Sequence, residues 1–269
     1  MTSSGDNRFQ DFFEDEQYVA LKNYLYNYLL RKRAVEKVMQ NEKKDVVLEV
    51  GSGISPVLTS WDRVVYSDLS FSALRTLMRL QGKGHYVVAD GMNLPFKADT
   101  FSHTISSEVL EHMEDDRKAL REIAEVLKPG GCLIATFPHR HYYYSHDDRF
   151  VNHYRRYELP EIASRLEEAG LHPVYVRKVL GPLEKVTMIM ATACISILRG
   201  VGGNGRKKKK QTEPAKVLIG FFKWANRLYA GVAWIDAFIM PRTLSAVLLI
   251  KAVRKEGHEE RSQSHGTRD

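Results

Sequence analysis

Five short apolar runs, at residues 46–50, 64–67, 86–89, 103–106 and 132–137, alternate with stretches of helical spacing. This alternation constrains the chain more than any single motif does, because it marks a doubly wound, mostly parallel α/β sheet. Residues 18–40 extend the pattern upstream as one helix, since Val19, Leu21, Leu25, Leu29, Val35 and Val38 fall near helical spacing with no breaker between them. Downstream, "LKPGG" at 127–131 ends a helix over 115–126, with Pro129 and Gly130 as its stop, and turns into the fifth strand. A further helix closes at Gly170, a sixth strand follows, and the last strand comes only at 244–255. The expected organisation is a seven-stranded core at 45–180 and 243–255. A helical cap at 1–44 precedes it, an insertion at 181–242 interrupts it before the last strand, and a polar tail at 256–269 is expected to be disordered.

The first apolar run stops at two glycines, in "VVLEVGSGISP". A dinucleotide fingerprint requires a third glycine where Pro56 stands, so the loop alone leaves its ligand open. The neighbouring strand ends narrow the choice. Glu49, Asp68 and Asp90 stand at the ends of successive strands, on the side where an open α/β sheet holds its ligand. Asp68 follows the loop at about the 20-residue spacing of an acid that hydrogen-bonds ribose hydroxyls. Gly51 and Gly53 let backbone approach a ligand with no Cβ in the way. Three acids suit a nucleoside better than a pyrophosphate.

Four stretches, "VVLEVGSG", "SDLS", "VVADGMNLPFKADTFSHTISSEVLEHMED" and "LREIAEVLKPGGCLIATFP", resemble in order the successive motifs of class I S-adenosylmethionine-dependent methyltransferases. The resemblance is greatest to the small-molecule subgroup related to ubiquinone and menaquinone methyltransferases. It runs from Asp45 to Phe137 and, more loosely, to Val179. It implies a Rossmann-like methyltransferase fold with S-adenosyl-L-methionine as cofactor and S-adenosyl-L-homocysteine as product. Carried onto this chain, it implies Gly51 and Gly53 beneath the methionine moiety, with Glu49 ordering the loop or reaching the amino group. It further implies Asp68, with Leu69 beside it, at the ribose; Asp90, Gly91 and Met92 at the adenine edge; and Ser107 facing the methionine part.

Methyl transfer is a displacement at a carbon already activated by a sulfonium, so alignment dominates, and a base is needed only if the acceptor carries a proton. The candidate catalytic groups are His112 in "EVLEH", His139 in "FPHRH" and His153 in "NHYRRY". Tyr142, Arg155, Arg156 and Tyr157 are candidate acceptor contacts; the arginines suit a carboxylate or phosphate, and they suit pairing with Asp147, Asp148 or Glu158 equally well. The group His139, His141, His146 and Asp147 follows no recognised ligand spacing, so no metal is expected. The fourth strand ends in "SSEVLEH" rather than in the Asn/Asp-Pro-Pro-aromatic turn of base amino-methylation, and the chain has no Pro-Cys pair. Nucleic acid is therefore not the expected acceptor; a small-molecule or lipid-linked acceptor, methylated on oxygen, is. RNA methylation through the basic segment, or a non-catalytic scaffold of the same fold, are the alternatives.

Charge concentrates in the insertion. Residues 181–242 hold eleven Lys or Arg against three acids, a local +8 in a chain whose total is +7. The block "RKKKK" at 206–210 sits between an apolar stretch at 186–198, too short to cross a bilayer, and a second apolar stretch rich in aromatics. Lys216, Lys223 and Arg227 fall on one helical stripe of the latter. Aromatics beside a basic stripe suit a helix lying in an anionic membrane interface, and suit equally a lid over the sheet edge. Two cysteines in apolar runs and an N-terminus without a basic and apolar signal point to the cytoplasm, with the inner face of a membrane as the docking place. The sequence sets no oligomeric state.

Overall fold

In the computed structural model, which describes residues 21–201 and 213–256, seven strands form one sheet in the order β3-β2-β1-β4-β5-β7-β6. They are β1 Val47–Val50, β2 Val64–Asp68, β3 His85–Val88, β4 Phe101–Ser107, β5 Leu127–Pro138, β6 Leu171–Leu180 and β7 Val247–Arg254. β1 to β5 pair in parallel, and β7 runs antiparallel to both β5 and β6. The described helices are α1 Tyr26–Met39, α2 Phe71–Gln81, α3 Asp116–Val126, α4 His146–Phe150, α5 Leu159–Glu168, α6 Pro182–Val201 and α7 Glu213–Ile239. The expected mostly parallel α/β sheet is present, and α6 and α7 lie in sequence between its last two strands.

Strand side chains alternate between faces, so each central strand feeds two cores. Leu48, Val50, Leu133, Ala135, Leu248 and Ile250 pack with α3 and α5 through Leu120, Ile123, Ile162 and Leu166. Val47, Ile105, Ile134 and Leu249 pack with α1 and α2 through Leu30, Val35, Leu74 and Leu77. A parallel sheet covered on both faces requires near-continuous apolar strands, which is why these runs stood out in the sequence.

Three boundaries differ from the sequence reading. The helix read over 18–40 is interrupted: α1 starts at Tyr26 after an extended Leu25, because the Tyr26 N–H donates to Asn226 Oδ1 of α7 at 3.2 Å instead of continuing a helical ladder. Residues 1–20 of the expected cap lie outside the described residues. "LKPGG" is not a turn: Leu127 is already extended and pairs with Phe101, so β5 begins directly after Val126 and a register shift absorbs the glycines. The last strand begins at Val247, since 242–244 form a 3-10 turn. The basic block 206–210 and the tail 257–269 also fall outside the described residues. Among those described, no helix is long and apolar enough to cross a membrane.

Candidate functional site

At the carboxyl end of β1 the chain reverses through Gly51 and Gly53, both at positive φ. Gly51 has little freedom to be anything else, since a Cβ there would stand 2.5 Å from Val109 Cγ2. The buried Glu49 carboxylate lies under this loop and accepts the N–H groups of Val57 at 2.7 Å and Leu58 at 3.2 Å, so it orders the loop, one of the two roles the resemblance implied. Burial pushes its pKa up to about 8 against those two hydrogen bonds. Asp68, at the end of β2, ties the same loop to its own strand: Oδ2 accepts from Gly53 N and Oδ1 from Ser70 N, each at 2.8 Å. Burial raises its pKa in spite of both donors. Asp90 Oδ1 accepts from Met92 N at 2.9 Å, and Gly91 leaves room for Met113, whose Cε would meet an added Cβ at 2.3 Å. Leu69 projects outward, and Ser107 shares a 2.9 Å hydrogen bond with Thr136 Oγ1.

A cavity of about 930 Å³ opens over the ends of β1, β4 and β5. Glu49, Gly51, Ser52 and Ser55 line one side, and Ser107, Glu108, His112, His153 and Arg156 another. Its roof is helical: Thr187, Met188 and Thr192 of α6 and Phe222 and Asn226 of α7. Of the residues singled out in the sequence, Glu49, Gly51, Ser107, His112, His153 and Arg156 reach this cavity. Gly53, Asp68, Leu69, Asp90, Gly91 and Met92 are not on its wall; they stand on or after the ends of β1, β2 and β3, the strands leading away from β4.

Four candidates do not line this cavity. His139 is buried, with Nδ1 against Ser245 O at 3.0 Å and Ser245 Oγ at 2.9 Å, and desolvation lowers its pKa. Tyr142 is 61% exposed and donates to Thr243 O. Arg155 donates to Glu114 O and pairs with Asp116. Tyr157 is a core residue whose hydroxyl donates to Asp116 Oδ2 at 2.7 Å. His112 keeps its place but not its expected basicity: burial, reinforced by His153, pulls its pKa down to about 3, so it is neutral and a weak base.

The expected pairing of Arg156 with Asp148 is present at 2.8 Å, while several other contacts at the cavity escaped the sequence reading. Asp147 and Asp148 of α4 receive Lys185 of α6, at 2.6 and 2.7 Å, in a buried cluster. Asp148 also accepts from His153 Nδ1 at 2.9 Å and Arg156 Nε at 2.8 Å. Burial would raise the Asp148 pKa, but these cationic and hydrogen-bonding partners outweigh it and hold the carboxyl well below its ordinary range. Glu184, beside Lys185, is pushed up to about 7 by burial. Lys22 lines the opposite wall, pulled down to about 8 by burial and by Arg31. Lys185 lies 37 residues from Asp148 in sequence, and only the fold brings them together. Glu108 and Glu111 escaped it too, although "EVLEH" sets them at a three-residue interval.

Residues 48–135 match a family model described as a methyltransferase domain. Demethylmenaquinone methyltransferase of Streptomyces griseus is 30% identical over 109 residues, 39% of this chain and 47% of that protein. The ubiquinone/menaquinone biosynthesis C-methyltransferase of Vibrio campbellii is 35% identical over 101 residues, 33% of this chain and 39% of that protein. The chain thus spans less than half the length of the curated relatives it matches. The solved structure of Haemonchus contortus phosphoethanolamine N-methyltransferase 2 in complex with S-adenosyl-L-methionine superposes with a TM-score of 0.56 at 18% identity, over 94% of this chain and 61% of that one; at this identity the likeness is one of fold. The sheet order, the glycine turn after β1 with acids at the next two strand ends, and the match itself together make residues 48–135 a methyltransferase domain of the class I S-adenosylmethionine-dependent kind.

Proposed function

We propose that the chain transfers a methyl group from S-adenosylmethionine to an oxygen of a small-molecule or lipid-linked acceptor held beneath α6 and α7. The observation that carries this reading is the cavity, which has the glycine loop on one side and a titratable wall on the other. Two buried hydroxyls of the loop, Ser52 Oγ and Ser55 Oγ, have no hydrogen-bond partner within the protein, and both residues line the cavity. They suit the carboxylate and ammonium of a methionine moiety, and Asp68 suits the ribose diol beyond Gly53. The volume is near the top of the range for single-ligand sites, roughly 300–1,000 Å³, which leaves space for an acceptor beside the donor. The donor supplies an activated methyl carbon. The chain's own part is to hold the acceptor oxygen in line with it and to keep water out, for which α6 and α7 form the cover.

The outer side of that cover supports a lipid-linked acceptor. Phe221, Trp224, Leu228, Val232, Ile235 and Ile239 are all exposed and fall at helical intervals, a stripe about 27 Å long at 1.5 Å per residue. The eleven Lys or Arg of 181–242 surround this stripe in sequence. An exposed apolar helix face in a basic segment suits the interface of an anionic bilayer. Lys223 is a departure from the expected stripe, since its ammonium sits over the Tyr24 ring, 4.0 Å from the centroid. The test incubates the chain with S-adenosylmethionine labelled at the methyl group and, in turn, with extracted small molecules, lipids and RNA, read by mass spectrometry. A labelled product is expected in the lipid fraction, on oxygen. Donor that stays unconsumed with every fraction overturns the enzymatic reading, and a product labelled on RNA overturns the choice of acceptor.

A further inference from the structure

A second cavity, of about 300 Å³, lies away from the glycine loop, where α1 and α7 meet β6, the outer strand of the sheet. Four of its lining residues are cationic, Arg33 and Lys37 of α1 and Arg177 and Lys178 of β6, and none is acidic. Lys178 is already engaged: its ammonium donates to Phe238 O at 3.1 Å and to Met240 O, closing the end of α7. The guanidinium groups of Arg33 and Arg177 and the ammonium of Lys37 make no hydrogen bond or ion pair with any described residue. Arg33 and Lys37 stand four apart on one helix, a like-charge spacing that costs helix stability. A bound anion offsets that repulsion, and arginine in particular matches the oxygens of a phosphate.

The rest of the wall is apolar. Leu30, Ala34, Val179 and Ala237 are buried beneath the cations. Trp234 and Phe238 stack at the rim with ring centroids 5.8 Å apart, and they stay 43% and 72% exposed. Phe238 follows Ile235 by three residues on α7, so the rim borders the exposed stripe of that helix. Cations inside and aromatics at the mouth match a molecule with an anionic head and an apolar chain.

We propose that this cavity binds the phosphate headgroup of one anionic phospholipid, gripped by Arg33, Lys37 and Arg177. The volume is at the lower end for single-ligand sites, so it takes the headgroup while the acyl chain runs outward over Trp234 and Phe238. The inference deepens, and rests on, the reading of α7 as a membrane-facing helix, because it supplies that helix with one fixed lipid contact beside its diffuse apolar one. A nucleic acid also carries phosphate, but it has no chain to cover the apolar stripe onto which this cavity opens.

The test titrates the full chain with monomeric dihexanoyl phosphatidic acid by calorimetry, beside inorganic phosphate and a short RNA. One equivalent of the lipid should bind. Arg33→Ala with Lys37→Ala, both exposed, should weaken it roughly thirtyfold at about 1 kcal/mol per basic residue. Arg79→Ala with Lys97→Ala removes the same charge from exposed positions outside the cavity and should leave binding unchanged. No uptake, or equal affinity in the first double variant, overturns the site. Inorganic phosphate bound as tightly as the lipid makes it a site for a free anion, and RNA held through Arg33 and Lys37 without lipid uptake makes it a nucleic-acid contact; either result overturns the lipid. Co-sedimentation with phosphatidylcholine vesicles carrying phosphatidic acid separates the two readings. Vesicle binding without uptake of the short lipid sinks the cavity alone, and uptake of the short lipid by a chain that ignores vesicles sinks the membrane reading alone.

Discussion

Under the proposed function, single side chains near the glycine loop carry two burdens, ligand and loop. Asp68 should hydrogen-bond the donor's diol while bonding Gly53 and Ser70. Hydrogen bonds to a charged group contribute about 1.5–3 kcal/mol each, so Asp68→Ala should weaken donor binding by roughly tenfold or more in calorimetry; an unchanged affinity would remove the proposed donor site. Glu49 and Glu184 make a pH prediction. Their folded pKa values, about 8 and about 7, lie above the ordinary range of about 4.3 for a free glutamate. Between those limits the folded state binds more protons, so their contribution is full below about pH 4 and is lost as pH rises through 7 and 8. Urea midpoints of the ligand-free chain should therefore fall from pH 6 to pH 8.5, and fall less in Glu49→Gln/Glu184→Gln. Asp68 and Glu49 were legible in the sequence because each stands at a strand end that an apolar run announces. The weak basicity of His112 and the exclusion of His139 were not, since both follow from desolvation by residues distant in the chain.

Whole elements were legible where one physical requirement shaped them. Strands of a doubly covered parallel sheet must be buried throughout, so β1, β2 and β5 show largely as apolar runs, whereas β4, FSHTISS, buries mostly small polar side chains beside Phe101 and Ile105. The start of α1 and the start of β5 were misplaced because tertiary partners decide them, Asn226 for the Tyr26 N–H and Phe101 for Leu127. The α6–α7 pair is joined to the core at Gly181, where an added Cβ would fall 2.2 Å from Asp236 Oδ2, the acceptor of the Leu183 N–H. Gly181→Ala should therefore cost about 1–3 kcal/mol as overpacking and speed proteolysis within α6 and α7 while the sheet stays protected. Equal cleavage rates in variant and parent would show that this junction tolerates a methyl group.

On the scale of the whole molecule, the exposed stripe of α7 and the basic segment predict attachment to anionic vesicles that weakens with salt. Trp224→Glu with Ile235→Glu should abolish co-sedimentation at unchanged circular dichroism; binding that survives both changes would assign the stripe to another purpose. The cover and the reactive wall are not independent. Lys185 belongs to α6, its ammonium sits between Asp147 and Asp148, and Asp148 sets the tautomer of His153. Lifting α6 would strip that ammonium from two carboxylates and release the imidazole they steady. Under the proposed function, a lipid that favours a raised α6 must, by reciprocity, be bound differently when the cavity is filled, and admission of the acceptor would be one equilibrium with filling of the wall.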